Sequence, residues 1–156
     1  MKFELARQDA PRHTRNAAAG SNLTGEALAV LDPAGVQAAF DEITSWPGYA
    51  PTPIVPLPGV AARAGVGAVF YKDEAHRFGL SSFKALGGAY AVLQVLRQKL
   101  QAQGIKTSAA ALVRGAHRKK TSAITVVCAT DGNHGRSVAW GAQMFGCHCR
   151  IYIHEN

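Results

Sequence analysis

The sequence predicts an α/β protein, an open parallel sheet with flanking helices, and three observations carry that prediction. The stretch 124–129 is a continuous apolar run bare of charge, which is the composition of a strand buried in a parallel sheet. It ends in the turn Thr130-Asp131-Gly132-Asn133-His134-Gly135, after which Val138, Ala142 and Phe145 repeat at helical spacing over 136–145. A second strand pattern at 150–154 then completes a strand, helix, strand unit, which crosses over right-handed. With 156 residues, 47% of them apolar, the chain is long enough to bury a core.

The preceding elements are read in order. Residues 1–25 are polar, basic and without period, an arm or strap. Asp32-Pro33 is a helix entry, a capping carboxylate followed by a proline that needs no N–H, and Val36, Phe40 and Ile43 give that helix an apolar face. It stops near Trp46-Pro47-Gly48. The prolines of 51–58 enforce an extended connector, because each biases its predecessor away from helix. A short helix is predicted over 57–64, closed by Gly65, and a strand over 66–72, where Val69, Phe70 and Tyr71 favour β structure. After the turn Arg77-Phe78-Gly79-Leu80 comes the longest helical pattern, 83–103, capped by Ser81 or Ser82 and stopped by Gly104. Gly87-Gly88 inside it costs about 1 kcal/mol per glycine relative to alanine, so close packing or the approach of a ligand is expected there. Stretch 106–122, with periodic support only at 109–113, is predicted as a basic surface connection or insertion, and Gly146 as the stop of the 136–145 helix. These elements group as 1–56, an arm, first helix and proline-rich connector, and 57–156, the α/β portion with the chemistry.

Composition removes several function classes. Seventeen basic against ten acidic residues give a formal charge of +7. The basic residues at 2–15 and 114–120 have only Phe3 among them as an aromatic on which a base could stack, so no nucleic-acid partner is expected. Cys128, Cys147 and Cys149 form no disulfide framework, and in a strand Cys147 and Cys149 share one face while His148 takes the other, a poor tetrahedral set; no metal site is expected. The absence of a long apolar run or a leader pattern predicts no membrane association and a cytoplasmic setting.

Two stretches carry chemistry. In Ser81-Ser82-Phe83-Lys84-Ala85-Leu86-Gly87-Gly88 a lysine falls in the first turn of a helix, where the helix dipole and partial burial both disfavour an ammonium, as a Schiff-base lysine requires. In Ala129-Thr130-Asp131-Gly132-Asn133-His134-Gly135 a strand-to-helix turn places polar groups where open α/β sheets form their ligand crevice. Taken singly, each stretch has a plain structural reading: a solvated lysine, a turn asparagine, an aspartate capping the next helix, a turn histidine with a backbone or solvent partner.

Together with Tyr71-Lys72-Asp73-Glu74, Arg77-Phe78-Gly79-Leu80 and Leu86-Gly87-Gly88, these stretches resemble the pyridoxal-phosphate enzymes of fold type II, and among them the diaminopropionate ammonia-lyases. The discriminating residue is Asp131, where threonine and serine dehydratases usually carry a small neutral residue. The resemblance implies pyridoxal 5'-phosphate as cofactor, Lys84 as its Schiff-base lysine and the base for the L substrate, and Asn133 as the partner of the ring 3-hydroxyl. It assigns Thr130, Gly132 and His134 to the substrate α-carboxylate, and Asp131 to the second amino group and to the D substrate as base. The implied reaction is α,β-elimination of 2,3-diaminopropionate to pyruvate and ammonia, by a lyase of amino-acid catabolism that forms a homo-oligomer. Asp73, Glu74 and Arg77 are expected as scaffold ion pairs, and Ser81 stands where that family is expected to carry asparagine.

The resemblance covers only the N-terminal part of such an enzyme, and no glycine-rich phosphate cup follows Gly135. The chain is accordingly expected to be a fragment, its sheet incomplete at the C-terminus, and to release no ammonia by itself. A dehydratase of the same chemistry and a non-catalytic basic module or remnant are the alternatives.

Overall fold

A computed structural model of the chain describes residues 17, 25–30 and 32–155, so the predicted arm at 1–25 lies almost wholly outside the described residues. Helix α1 (Gly25–Val30), which the sequence does not announce, precedes α2 (Pro33–Thr44). Both carboxylate oxygens of Asp32 accept N–H groups of α2's first turn, from Ala34 at 3.2 Å and Gly35 at 3.0 Å, as the Asp-Pro entry predicts.

The proline-rich connector is extended, but it also pairs. Strand β1 (Ile54–Pro56) runs antiparallel to β2 (Phe70–Lys72), with Ile54 opposite Lys72 and Pro56 opposite Phe70. This is shorter than the strand predicted over 66–72 and joins the connector to the portion beyond residue 56. Between them lies α3 (Pro58–Ala64), ended by Gly65 at φ +65°. The parallel sheet consists of β3 (Thr125–Ala129) and β4 (His148–Tyr152), in register from Thr125–His148 to Ala129–Tyr152. β4 starts two residues before its predicted position and two residues after Gly146, which ends α7 (Asn133–Phe145) at φ +79°; α7 itself starts three residues earlier than the predicted 136, taking Asn133, His134 and Gly135 out of the expected loop.

Helix α7 is the centre of the fold. One side packs against β3 and β4, and the other lies along α4 (Lys84–Gln101). The core is built from Ala89, Val92, Leu93, Leu96 and Leu100 of α4 with Val138 and Phe145 of α7, and Trp46 and Leu112 close it. The helices approach closely because small residues face each other: a Cβ on Gly141 would stand 2.7 Å from Ala89 Cα, and one on Gly88 2.8 Å from Ser137 Cβ. An ion pair from Arg97 to Glu42, 2.5 Å, ties α2 to α4.

Two expectations are corrected. Stretch 106–122 is more than a surface connection: α5 (Ala109–Val113), capped by Ser108, and α6 (Arg118–Thr121) bury Ala109, Leu112 and Thr121. The apolar stretch 109–113 is the only periodic support the sequence offers there and coincides with α5, while the four-residue α6 is too short to display a period. The strand at 124–129 is covered on one face only, since Val126 and Cys128 turn toward the helices while Val127 is 56% exposed.

Candidate active site

The site forms where the N-termini of α4 and α7 meet. The chain reaches α4 through a 3-10 turn, Arg77–Gly79, with Phe78 at φ +49° and Ser81 at φ +54°. The Phe78 ring is fixed against Trp140 of α7, centroids 4.7 Å apart. Neither of the two serines considered as caps takes the role: Phe83 is the N-cap residue and makes no side-chain cap bond, while Ser82, one residue before it, is buried and its Oγ accepts the Lys84 N–H at 3.2 Å. Ser81 is in the left-handed region that asparagine tolerates better than serine.

Lys84 is the first residue of α4, as predicted, but its side chain is exposed, so the expected partial burial is absent. It lines an open cavity of about 400 Å³ with Phe83, Leu86, Gly87, Gly88 and His134. The two glycines divide the labour that the sequence left joined. Gly88 meets Ser137, whereas nothing lies within 4 Å of a Cβ on Gly87, whose backbone is bare to the cavity.

The opposing wall follows β3. Gly132 precedes α7, and the first helical bond runs from Arg136 N–H to the Gly132 carbonyl at 3.2 Å. The N–H groups of Asn133, His134 and Gly135 therefore precede the helical ladder, the arrangement that suits an anion at a helix start. The Thr130 N–H is committed to the Tyr152 carbonyl at 2.9 Å, leaving its hydroxyl as the polar group for a ligand. Asp131 does not cap α7; its Oδ1 accepts the His154 N–H at 2.9 Å. Of the six residues singled out from the sequence, the cavity joins Lys84 and His134; Thr130, Asp131 and Gly132 in the adjoining loop and Asn133 at the first position of α7 do not line it.

Beside this cavity Arg77, only 5% exposed, donates from Nε to Glu74 at 2.8 Å, from Nη1 to the Ala50 carbonyl at 2.9 Å and from Nη2 to Thr52 Oγ1 at 3.0 Å. Its guanidinium lies 5.2 Å from the Tyr49 ring centroid. The hydrogen bond from Arg77 holds the Glu74 carboxyl at a pKa of about 2, against the burial that opposes ionisation. Glu74 and Arg77 form the expected scaffold pair, whereas Asp73 accepts the Ala75 N–H at 3.0 Å and pairs with no cation among the described residues. Lys72, the other lysine of the motif, donates to the Thr52 carbonyl at 2.5 Å and lines a separate cavity.

Sequence reasoning missed Ser137. It is fully buried on the inward face of α7 and donates its hydroxyl to the Lys84 carbonyl at 2.5 Å. A polar residue beside Val138 and in line with Gly141 was the available signal, since an inward hydroxyl must find a partner. Cys128, Cys147 and Cys149 are half-buried, and burial raises the Cys147 and Cys149 thiol pKa values, with the neighbouring thiol adding to each. Among the described residues no cluster of His, Cys, Asp or Glu is arranged to hold a metal ion, and no helix is long and apolar enough to cross a membrane.

Residues 45–156 match the family described as pyridoxal-phosphate dependent enzyme. The chain is 41% identical over 130 residues to a diaminopropionate ammonia-lyase of Salmonella typhimurium, covering 83% of this chain and 32% of that enzyme. To the diaminopropionate ammonia-lyase of Escherichia coli K12 it is 45% identical over 106 residues, 68% of this chain and 26% of that one. It thus spans about a third or less of the length of these relatives. Among solved structures, the apo form of the Escherichia coli enzyme superposes with a TM-score of 0.64 at 38% identity, covering 77% of this chain and 31% of that chain. The complex of the same enzyme with D-serine gives 0.63 at 38% identity, covering 77% and 30%.

Proposed function

The chain belongs to the pyridoxal-phosphate-dependent enzyme family, with the fold type II architecture of its solved relatives, and on that premise we propose that it supplies the lysine-bearing part of a diaminopropionate ammonia-lyase. The observation that carries this reading is the cavity between the starts of α4 and α7, with Lys84 and His134 on its walls and the bare backbone of Gly87 between them. A flat ring fits there because no Cβ projects from Gly87, and an accessible amine stands at the rim.

In this reading Lys84 holds pyridoxal phosphate through its amine, and Asn133 offers its side-chain amide to the ring hydroxyl. When bound, the cofactor supplies an electron sink for the charge left when a Cα proton departs. Once the substrate's amine had displaced it from the cofactor, the freed Lys84 amine would take that proton from the L substrate, as an unprotonated amine is suited to do. The Asn133, His134 and Gly135 N–H groups hold the α-carboxylate at the positive end of α7, and the Thr130 hydroxyl adds a further donor. Asp131 has Oδ1 fixed by the His154 N–H, and Oδ2 has no partner among the described residues, so that oxygen would bind the substrate's β-amino group or take the proton of the D substrate. The elimination expels the β-amine, and hydrolysis of the released 2-aminoacrylate gives pyruvate and a second ammonia.

A chimera tests this directly. With this chain in place of the matching segment of the Salmonella enzyme, 2,3-diaminopropionate should yield two ammonia for each pyruvate, and borohydride reduction should fix the cofactor on Lys84. Lys84→Ala should abolish both, and Asp131→Asn should lower turnover of the D substrate by at least about tenfold more than that of the L substrate, the scale of one positioned acid or base. Label on Lys72, or an active Lys84→Ala chimera, overturns the assignment of the lysine; equal losses for both enantiomers remove Asp131 from the role of base.

A further inference from the structure

We propose that Ser137 is a positioning residue for Lys84, an inference that rests on the reading of Lys84 as the cofactor lysine. Its hydroxyl is fully buried and bonds the Lys84 carbonyl at 2.5 Å across the contact between α7 and α4, from a position 53 residues distant in sequence. Gly88 faces it so closely that any side chain there would displace it. On the other side of the same residue the Lys84 N–H is held by buried Ser82 at 3.2 Å. The backbone of Lys84 is therefore gripped before and after its Cα, by one serine from its own turn and one from the opposing helix.

The location of the second grip gives it its function. Ser137 lies one turn beyond Asn133 and His134 on α7, so its bond fixes the start of the lysine helix against the start of the helix that forms the opposite wall of the cavity. The lysine side chain is a long lever, and a small rotation of the first turn of α4 moves its amine by a larger amount. An error of about 1 Å in such a group is enough to lose much of its effect. Ser137 does not line the cavity, so it acts on the amine through the Lys84 backbone alone.

The test uses Ser137→Ala in this chain, with Ala142→Gly, a core-facing change farther along α7, as the packing control. Amide exchange at Lys84, Ala85 and Leu86 and at Arg136 and Val138, the first hydrogen-bonded amides of α7, should quicken by about tenfold in Ser137→Ala, the equivalent of one hydrogen bond, while the amides of Leu93 and Leu96 keep their rates. Ala142→Gly should quicken exchange without that localisation. In parallel, reductive trapping with pyridoxal phosphate and borohydride should mark Lys84 above the other exposed lysines in the unaltered chain, and Ser137→Ala should bring it down to their level. Unchanged exchange at both helix starts, or a Lys84 preference that survives in Ser137→Ala, overturns the proposal. Absence of any Lys84 preference in the unaltered chain counts against the cofactor reading instead; localised exchange then supports, and unchanged exchange refutes, the role of Ser137 in fixing the two helix starts.

Discussion

Glu74 shows how one residue can be legible in identity and hidden in consequence. Its place beside Arg77 at i+3 suggests an ion pair from the sequence, but the depth of the pair depends on Thr52 and the Ala50 carbonyl, more than twenty residues away. With the folded carboxyl near a pKa of 2 and an ordinary value of 4.5, the unfolded chain binds the proton more readily. The pair's contribution is thus complete above about pH 4.5, declines as pH falls, and is gone below about pH 2. Chemical denaturation at pH 6 and pH 3 should show the unaltered chain losing on the order of 2 kcal/mol more than Glu74→Gln over that interval. Parallel pH profiles for the two proteins would place the stabilisation elsewhere. The same distance limit explains the other residue-scale differences: Lys84 is placed at a helix start by its local sequence, yet the bond from Asp131 to the His154 N–H and the grip of Ser137 join residues 23 and 53 positions apart.

At the scale of elements, the pattern within each long helix was sufficient and the pattern between elements was not. Helices α2, α4 and α7 follow from spacing, and Asp32 and Gly146 mark two of their ends, because those signals are local; α7 nevertheless begins at Asn133, three residues before the expected 136, and the N-cap of α4 is Phe83 in place of a serine. The pairing of β1 with β2 is not local, and a proline-rich segment reads only as extended. The pair Gly87-Gly88 marked a close approach without telling which glycine made it. The packing of α7 decides: alanine at Gly141 would press on Ala89, and alanine at Gly87 would meet nothing. Gly141→Ala should accordingly cost about 1–3 kcal/mol of stability by overpacking, while Gly87→Ala should gain up to about 1 kcal/mol from helix propensity. In the chimera, Gly87→Ala should nevertheless weaken cofactor binding, because its methyl occupies the face of the cavity that the ring requires. Thermal unfolding gives the two stabilities, and a Gly87→Ala chimera with unaltered cofactor affinity would mean that the ring does not approach α4 at this glycine.

For the molecule as a whole, the sheet is the element whose surroundings the sequence could not supply. The run at 124–129 is apolar at every position but Thr125, which fits a strand covered on both sides, and nothing in it separates one face from the other. The fold separates them. Val126 pairs with Cys149 and packs against the core, and Val127, one residue on, pairs with Arg150 on the face turned away from α7. Tyr152, 53% exposed, shares that outer face. Because side chains alternate along a strand, a shift of one residue in register would exchange the two faces entirely. Two lysine substitutions at neighbouring positions therefore test the arrangement of sheet against helix. Val127→Lys should change the free energy of unfolding by no more than about 0.5 kcal/mol, as surface substitutions do, and should lower the binding of an apolar dye to the chain. Val126→Lys places a charge against the apolar core cluster, and should abolish cooperative unfolding or cost several kcal/mol. Equal sensitivity at the two positions, measured by denaturant unfolding of each variant beside the parent chain, would mean that both faces of β3 are covered and that the sheet packs differently from the arrangement described.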